Sequence, residues 1–572
     1  MSKTFDPVAV EVFSNRLLSI TEDMGNTLIR SSFSTNIKER RDCSVGLFDA
    51  SGRLIAQASH VPLHLGSLMG GVKAVLDTYS TQEMDAGDAF ICNDPYLAGG
   101  THMPDISIVS PVVIDGAVRF FTANIAHHSD VGGAVPGSIS GSARTVFEEG
   151  VRIPAIRVAE RGVISDDVMR LICSNTREPE ERALDLQVQI ATNARGAVLL
   201  EELADRKGLE QVQSAVGDLL AYTGRRLRNR IAQLTDGSYC CTSYLDDDGQ
   251  GGEPVPITVT AHVNGEALTL DFEGTSSQAR GAMNVPESAL RATVYYSVKT
   301  LLDPNLPPNG GMFEAIEIAA PEGSLVNPRH PAAVGARSIT CNKVARAIFG
   351  AFAPLLPDKA VMAAGHDSIP AIVFSGERRG GAGPFVYLET VGGGSGARWD
   401  SDGMDAVHVH LTNTSNLPAE ALEHEYPLLV DEYALVPDSG GAGARRGGVG
   451  IARQISAMQD DIIFSIRSDS HVIGAPGVFG GKEGGTADLI RNADGQDRES
   501  LTSKVSHIEL RAGDSMRLET AGGGGYGTPE ARALDALGID LRDGLVSKEK
   551  AVQDYGADRV SSALAETEGE RE

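Results

Sequence analysis

Apolar residues recur at spacings of three and four early in the chain: Val10, Phe13, Leu17, Ile20, Met24 and Leu28. That period predicts one long amphipathic helix with its stripe in the core. Asp6 suits its cap and Pro7 its first turn. The pattern breaks over residues 31–37. Residues 43–49 and 54–58 then flank the turn Ala50-Ser51-Gly52-Arg53, a β-hairpin by its turn chemistry. Residues 60–66 form a loop ahead of a helical stretch at 67–79, and 89–92 a short buried strand. Residues 93–105 are crowded with turn formers and read as a loop of fixed path. Apolar runs at 106–109 and 112–114 flank Pro111 and meet the hairpin turn Asp115-Gly116, and 118–125 is the return strand. This hairpin brings the ends of both strands to one edge of a sheet.

Further on, 132–142 is Gly/Ser-rich and is expected to be a mobile or substrate-covering loop. Residues 165–235 turn helical, with segments at 166–173, 180–196 and 212–234. Even spacing of Val255, Ile257, Val259 and Val263, the turn Asn264-Gly265, and Leu268, Leu270 and Phe272 predict another hairpin. Helices are expected at 288–302 and 342–352. Beyond Gly392 the chain reads as glycine-punctuated strands, with His408-Val409-His410 alternating on one of them. Short helical stretches follow at 529–537 and 548–554, and the polar tail 566–572 is expected to fray. The fold class is α+β: a large mixed chain with glycine-rich turns. Five regions follow: 1–160, which carries the candidate chemistry; a helical 161–235; a mixed 236–390; a glycine-rich β region at 391–528; and a helical 529–572.

Composition narrows the function classes. The chain is 572 residues long, 41% hydrophobic and 22% charged, as an ordinary globular protein is. A net charge of −27 argues against nucleic acid and anionic membranes as partners. No apolar run reaches the ~18–20 residues of a membrane span, and Met1 to Asp6 hold no apolar signal core, so a cytoplasmic location is expected. Six cysteines without a CxxC pair read as reduced thiols.

Two polar clusters flank the central hairpin. His102 and Asp105 stand three apart in the first, and Asn124-Ile125-Ala126-His127-His128-Ser129-Asp130 form the second. Neutral imidazoles and carboxylates bind divalent transition metals. His102, Asp105 and His127, joined by Asp42 or Glu39, make a candidate set for Zn, Mn or Fe, which would lower the pKa of a bound water and polarise a carbonyl. His64, His128 and Asp130 are candidate proton carriers or supports; His60 has less to recommend it. The plainer alternative is that the histidines are structural and that Glu39 and Asp42 pair with Arg40 and Arg41 on a solvated face. Spacing alone leaves both open. There is no GxSxG elbow and no GxxxxGK[ST] phosphate loop. Glycine runs at 443–450 and 522–527 read as turns. Asn284, Asn309 and Arg337 sit beside Gly/Pro turns, where fixing the backbone and binding substrate are equally open.

The motifs at 39–44 (Glu39-Arg40-Arg41-Asp42-Cys43-Ser44), 60–66, 93–105 and 127–133 (His127-His128-Ser129-Asp130-Val131-Gly132-Gly133), with 413–418, 438–443, 446–448 and 522–527, stand in one order. In that order the chain resembles the hydantoinase B/oxoprolinase family, from Asp6 to about Pro529. The resemblance implies one hydantoinase B-type unit and a subunit of an ATP-dependent cyclic amide hydrolase that opens a hydantoin, lactam or 5-oxoproline ring. It implies a partner of the hydantoinase A type, which binds ATP, in a heterotetramer or larger complex. It also implies a metal held by Asp42 (or Glu39), His102, Asp105 and His127. Ketone carboxylation and a non-catalytic partner role are the alternatives it leaves open.

Overall fold

The opening period of three and four is a helix, α1 (Pro7–Ser31), in the computed structural model of the protein. The structure describes residues 7–58, 60–356 and 362–569. The Asp6 cap and the end of the polar tail, 570–572, therefore lie outside the described residues; the last helix is Ala557–Gly569. Two compact units emerge. The first comprises residues 1–241, 257–341 and 413–415; the second comprises 242–256, 342–412 and 416–572.

The first unit is organised by a seven-stranded antiparallel sheet. Its strands are β1 (Cys43–Asp49), β2 (Leu54–Gln57), β3 (Ala89–Cys92), β4 (Asp105–Ile114), β5 (Ala117–His127), β6 (Ile156–Glu160) and β7 (Val163–Ile164), in the order β2-β1-β5-β4-β3-β6-β7. The β4–β5 turn falls at Asp115-Gly116, both at positive φ (52° and 70°), as a tight hairpin of this chemistry demands. Pro111 does not interrupt β4. It pairs with Phe121 beyond the last β3 pairing, at Phe90–Val109, so its missing N–H leaves no inner ladder broken.

Helices cover both faces of this sheet. On one face Leu17, Met24 and Leu28 of α1 are buried in one cluster with Val45, Leu47 and Phe120. Beside them, after α4 (Asp166–Cys173), α5 (Pro179–Lys207) packs on β4 and β5 and is followed by α6 (Leu209–Ile231). The α5 helix runs through Gly196, where a Cβ would stand 2.4 Å from Met24 Sδ. A side chain there would push α1 away. On the other face lies α3 (His64–Thr78), packed against β4, β5 and α7 (Glu287–Leu302). It starts three residues earlier than the sequence pattern suggests, because His64 N–H and Leu65 N–H already donate to Val61 and Pro62 carbonyls. His64 thus belongs to a helix end rather than a loop.

Residues 132–142, expected to be mobile, are tied down. Gly132 N–H and Gly137 N–H donate to Asp130, and Val131 N–H donates to Ser138 Oγ, which in turn donates to the Gly132 carbonyl.

The second unit holds a four-stranded sheet (Pro384–Thr390, Ala371–Glu377, Ile462–Arg467, Lys504–Leu510) and a five-stranded one (Leu428–Leu435, Ile451–Ala457, Ser515–Glu519, Asp488–Arg491, Glu499–Leu501), both antiparallel and sharing one core. Its glycine-rich segments stack backbone on backbone. A Cβ on Gly523 would lie 1.9 Å from the Ser395 carbonyl oxygen, and one on Gly447 would lie 1.9 Å from that of Gly523. The array at 522–527 is therefore interior packing. His408-Val409-His410 is not a strand: only Val407 forms an isolated bridge, to Gly393, and His410 takes φ +54°. The nearby acids are structural. Asp402 pairs with Arg532 and Asp405 with Arg446.

Among the described residues no helix is long and apolar enough to cross a membrane.

The α3–α7 contact yields a test. A Cβ on Gly66 would lie 2.3 Å from the Ser288 carbonyl oxygen. Helix propensity favours Ala over Gly by about 1 kcal/mol, but overpacking against fixed backbone costs about 1–3 kcal/mol. Gly66→Ala is expected to destabilise the protein in urea unfolding. A rise in the midpoint would refute this packing.

Candidate metal centre

Register brings the candidate ligands together. Asp105, the first residue of β4, pairs with His127, the last of β5, and Cys43 at the start of β1 pairs with Ala126. The His127 N–H donates to the Asp42 carbonyl at 2.9 Å. Side chains alternate faces along a strand. Thr122 and Asn124 of β5 meet α5, through Asn193 and Gln189, so His127, an odd number of residues away, lies on the α3 face. Ser107 of β4 lies beside Gly71 of α3, and Asp105 shares its parity. Ser44 of β1 meets His64 at the start of α3, and Asp42 shares its parity.

The ligand atoms of His102, Asp105 and His127 all lie within 4.8 Å of one another, and all three residues are buried. His102 Nε2 is 3.1 Å from Asp105 Oδ1. His64 Nε2 is 3.4 Å from Asp42 Oδ1 and 3.7 Å from Asp105 Oδ1. The rings of His102 and His127 are 5.0 Å apart. Asp42 and His127, 7% and 6% exposed, are the least covered members.

Hydrogen bonds orient these groups. His102 Nδ1 faces the Gly335 carbonyl at 3.4 Å, and a carbonyl only accepts, so Nδ1 carries the proton. Ser44 Oγ spends its own proton on the Val61 carbonyl, so His64 Nδ1–H donates to Ser44. Both rings therefore turn Nε2 lone pairs toward carboxylates when neutral. Two acceptors at 3.1 Å need a cation between them, either a proton or a metal ion. Asp105 Oδ1 is fully buried and accepts no hydrogen bond, whereas Oδ2 takes Arg337 Nη2 at 2.6 Å and Thr101 Oγ1 at 2.8 Å. One carboxylate oxygen is held from behind and the other is open to the cluster. This donor set, oxygen and imidazole nitrogen with supporting partners, fits a divalent transition metal.

Electrostatics agree with that fit. Burial alone would raise the Asp105 carboxyl, but His102, Arg337 and His64 hold it well below the usual range. Burial and then His102 push His127 well below an ordinary histidine. Asp105 is thus ionised and His127 neutral, the states that ligation requires. Burial raises Asp42, with His64 and Arg40 opposing.

Other expected members lie elsewhere. Glu39 is exposed at the end of α2 (Thr35–Lys38), outside the cluster. His128 is one residue past His127 and so faces α5, where Nε2 meets Gln189 Oε1 at 3.0 Å and Nδ1 meets Arg182. Asp130 anchors the loop that follows it, binding Arg177 Nη1 at 2.7 Å. His60 packs against Gly25 of α1, and burial lowers its pKa to about 4. Sequence reasoning missed Asn36, whose Nδ2 lies 3.2 Å from His127 Nδ1 and whose Oδ1 accepts from Arg40. Its i, i+4 spacing to Arg40 on a helical turn was the available signal. Arg337 stood out only as a residue beside a turn. Burial raises the thiols of Cys92 to about 12 and Cys341 to about 11, so neither is an activated nucleophile.

The profile of the hydantoinase B/oxoprolinase family matches residues 6–529. The chain belongs to that family. A protein of Pseudomonas sp. (strain NS671), named as the B component of a D-/L-hydantoinase, is 33% identical to this hydantoinase B-type chain, over 97% of it and 95% of the relative. 5-Oxoprolinase 1 of Arabidopsis thaliana is also 33% identical, but the chain spans only 42% of that longer protein. Among solved structures, the ATP-dependent caprolactamase from Pseudomonas jessenii superposes with a TM-score of 0.88 at 27% identity, covering 97% of this chain and 96% of that one. Acetone carboxylase in its nucleotide-free form gives the same score at 18% identity, over 99% and 83% of the two chains. At that identity the second likeness speaks to the fold. Both confirm the α+β class expected from the pattern of elements.

Asp130 accepts three backbone N–H groups, of Gly132, Gly137 and Arg177. Asp130→Ala is therefore expected to cost about 1–3 kcal/mol of stability and to open residues 130–142 to protease. An unchanged denaturation midpoint would show that this loop does not need its anchor.

Proposed function

We propose that this hydantoinase B-type chain is one subunit of an ATP-dependent cyclic amide hydrolase, with hydantoin, lactam or 5-oxoproline as the substrate class. Its partner is a hydantoinase A-type subunit that binds ATP, in a cytoplasmic hetero-oligomer. Support comes from the hydantoinase and caprolactamase relatives, and from 5-oxoprolinases in which this unit is less than half of a longer chain. The observation that carries the reading is the buried convergence of His102, Asp105 and His127.

ATP has a physical role here. An unstrained amide carbonyl is a poor electrophile, and phosphorylation of its oxygen by the partner supplies a good leaving group. The activated ring then reaches this chain. Asp42, His102, Asp105 and His127 would hold a divalent ion of the Zn, Mn or Fe type, which supplies Lewis acidity and makes water more acidic. Arg337 balances the charge of Asp105 from the rear and keeps its Oδ2 engaged. His64 presents Nε2 between two carboxylates, with Nδ1 fixed by Ser44. It is the group placed to take a proton from the attacking water and pass it to the ring nitrogen as the C–N bond opens; the acyl phosphate left behind takes a second water, which releases inorganic phosphate and the carboxylate. Burial keeps bulk water from competing. His128 and Asp130 face away from the cluster and take no part in proton transfer in this reading.

The test is reconstitution with a hydantoinase A-type partner, with metal analysis and ring-opening assays on hydantoin, 5-oxoproline and caprolactam. His102→Ala is expected to lose the metal and lower ATP-coupled hydrolysis by about a hundredfold or more, several kcal/mol of lost charge stabilisation. Full metal and full hydrolysis in that variant would refute the reading. A wild-type chain without metal would favour a non-catalytic partner role, and carboxylation of acetone with bicarbonate would favour a ketone carboxylase.

A further inference from the structure

Residues 332–337 run as a strap past the cluster and deliver two groups to it: the Gly335 carbonyl to His102 Nδ1, and the Arg337 guanidinium to Asp105 and Thr101. The strap is held at every peptide. Tyr96 Oη donates to the Ala332 carbonyl at 2.7 Å and Asn284 Nδ2 to that of Ala333 at 3.0 Å. Ala336 N–H donates to the Ala282 carbonyl at 2.9 Å. At its centre sits Glu149, 1% exposed. Its Oε1 accepts from Val334 N–H at 2.9 Å and from Gly335 N–H at 2.6 Å.

The geometry has a direct consequence. Peptide units are planar, with N–H and C=O pointing opposite ways. The Gly335–Ala336 peptide directs its C=O at His102 because its N–H is fixed on Ala282, and the preceding peptide is fixed on Glu149. No side chain fits between: a Cβ on Gly335 would lie 2.9 Å from Glu149 Oε1. A buried carboxylate is costly, and nothing in the strap's own path requires one. Its placement is accounted for if the Gly335 carbonyl must not drift. If it does, His102 Nδ1 loses its acceptor, and the tautomer that turns the Nε2 lone pair toward Asp105 loses its support.

We infer that Glu149 is a positioning residue: by gripping the backbone of Val334 and Gly335 it fixes the Gly335 carbonyl, and with it the tautomer and ring orientation of His102. This rests on the reading of His102 as a metal ligand. Glu149 touches neither substrate nor ligand atoms; it acts through the strap. The outer partner of a ligating imidazole typically sets roughly 10–100-fold in metal affinity, and here that partner is a backbone carbonyl that no substitution of its own residue can remove.

The experiment uses the full chain, stripped of metal and titrated with cobalt(II) while its visible d–d absorption is followed. Glu149→Ala is expected to weaken binding by roughly 10–100-fold and to shift the spectrum. Glu149→Gln, whose amide oxygen still accepts both N–H groups, is expected to stay near wild type. Gly335→Ala displaces Glu149 without removing it and is expected to follow Glu149→Ala; it carries the comparison if Glu149→Ala does not fold. If the alanine variants melt earlier but bind cobalt as tightly, with the same spectrum, Glu149 is structural only and the inference is overturned. If wild type and His102→Ala bind cobalt alike, it is the metal reading that fails.

Discussion

Side chains change face at every residue of a strand, so the pairing of β1, β5 and β4 leaves little freedom in where the candidate ligands go. With Asp105 opposite His127 and Cys43 opposite Ala126, Asp42, Asp105 and His127 share the α3 face. A slip of one residue would send His127 toward α5 and bring His128 into its place. The register is held by more than the ladder. Gln189 and Asn193 of α5 donate to the Ile106 and Ile108 carbonyls of β4, and Asn124 of β5 returns the contact to both. A buried helix face of amides and an arginine is costly unless every group is satisfied. Here it clamps two strands against sliding, which an apolar face could not do so specifically.

The charges of the cluster are arranged with the same economy. Asp105 is fully buried and ionised, a state stable only with cationic company. Arg337 engages one oxygen at 2.6 Å, so the other faces two imidazoles without a donor of its own. Breaking that pair would strand a buried charge. The strap, through Arg337, and the loop that ends at Asp105 together hold this pair in place.

Much of this was legible in the chain. The hairpin turn Asp115-Gly116, the helical period of α1 and the His102/Asp105 spacing are local signals, and each survives in the structure. Glu39 and Asp42 were indistinguishable as acids beside two arginines; only the start of β1 separates them, placing Asp42 at the strand end and leaving Glu39 on an exposed turn. His128 could be read as a proton carrier beside His127, because identity along the chain says nothing about face until the strand's last residue is known. His64 was read as a loop residue because its helix begins in a Pro62-containing turn. Glu149 and Arg337 lie 47 and 235 residues from His102 along the chain, and no periodicity connects positions so far apart. The ordered motifs carried the family; they did not carry these supports.

The stacked glycines of the second unit bear on how the protein is made. Gly448 N–H donates to the Ser395 carbonyl, Gly523 N–H to that of Gly448, and Gly441 N–H to that of Gly523. Three distant segments thus complete one another's backbone hydrogen bonds, and no side chain stands in while one is missing. The segment at 522–527 is the last of them to leave the ribosome. Until it arrives, the first two segments hold only each other, and the Gly448 carbonyl and Gly441 N–H stay open. Bringing Gly523 to Gly448 closes a loop of 75 residues, after the 53 between Ser395 and Gly448. The glycine stack is therefore complete only when its last segment has joined it.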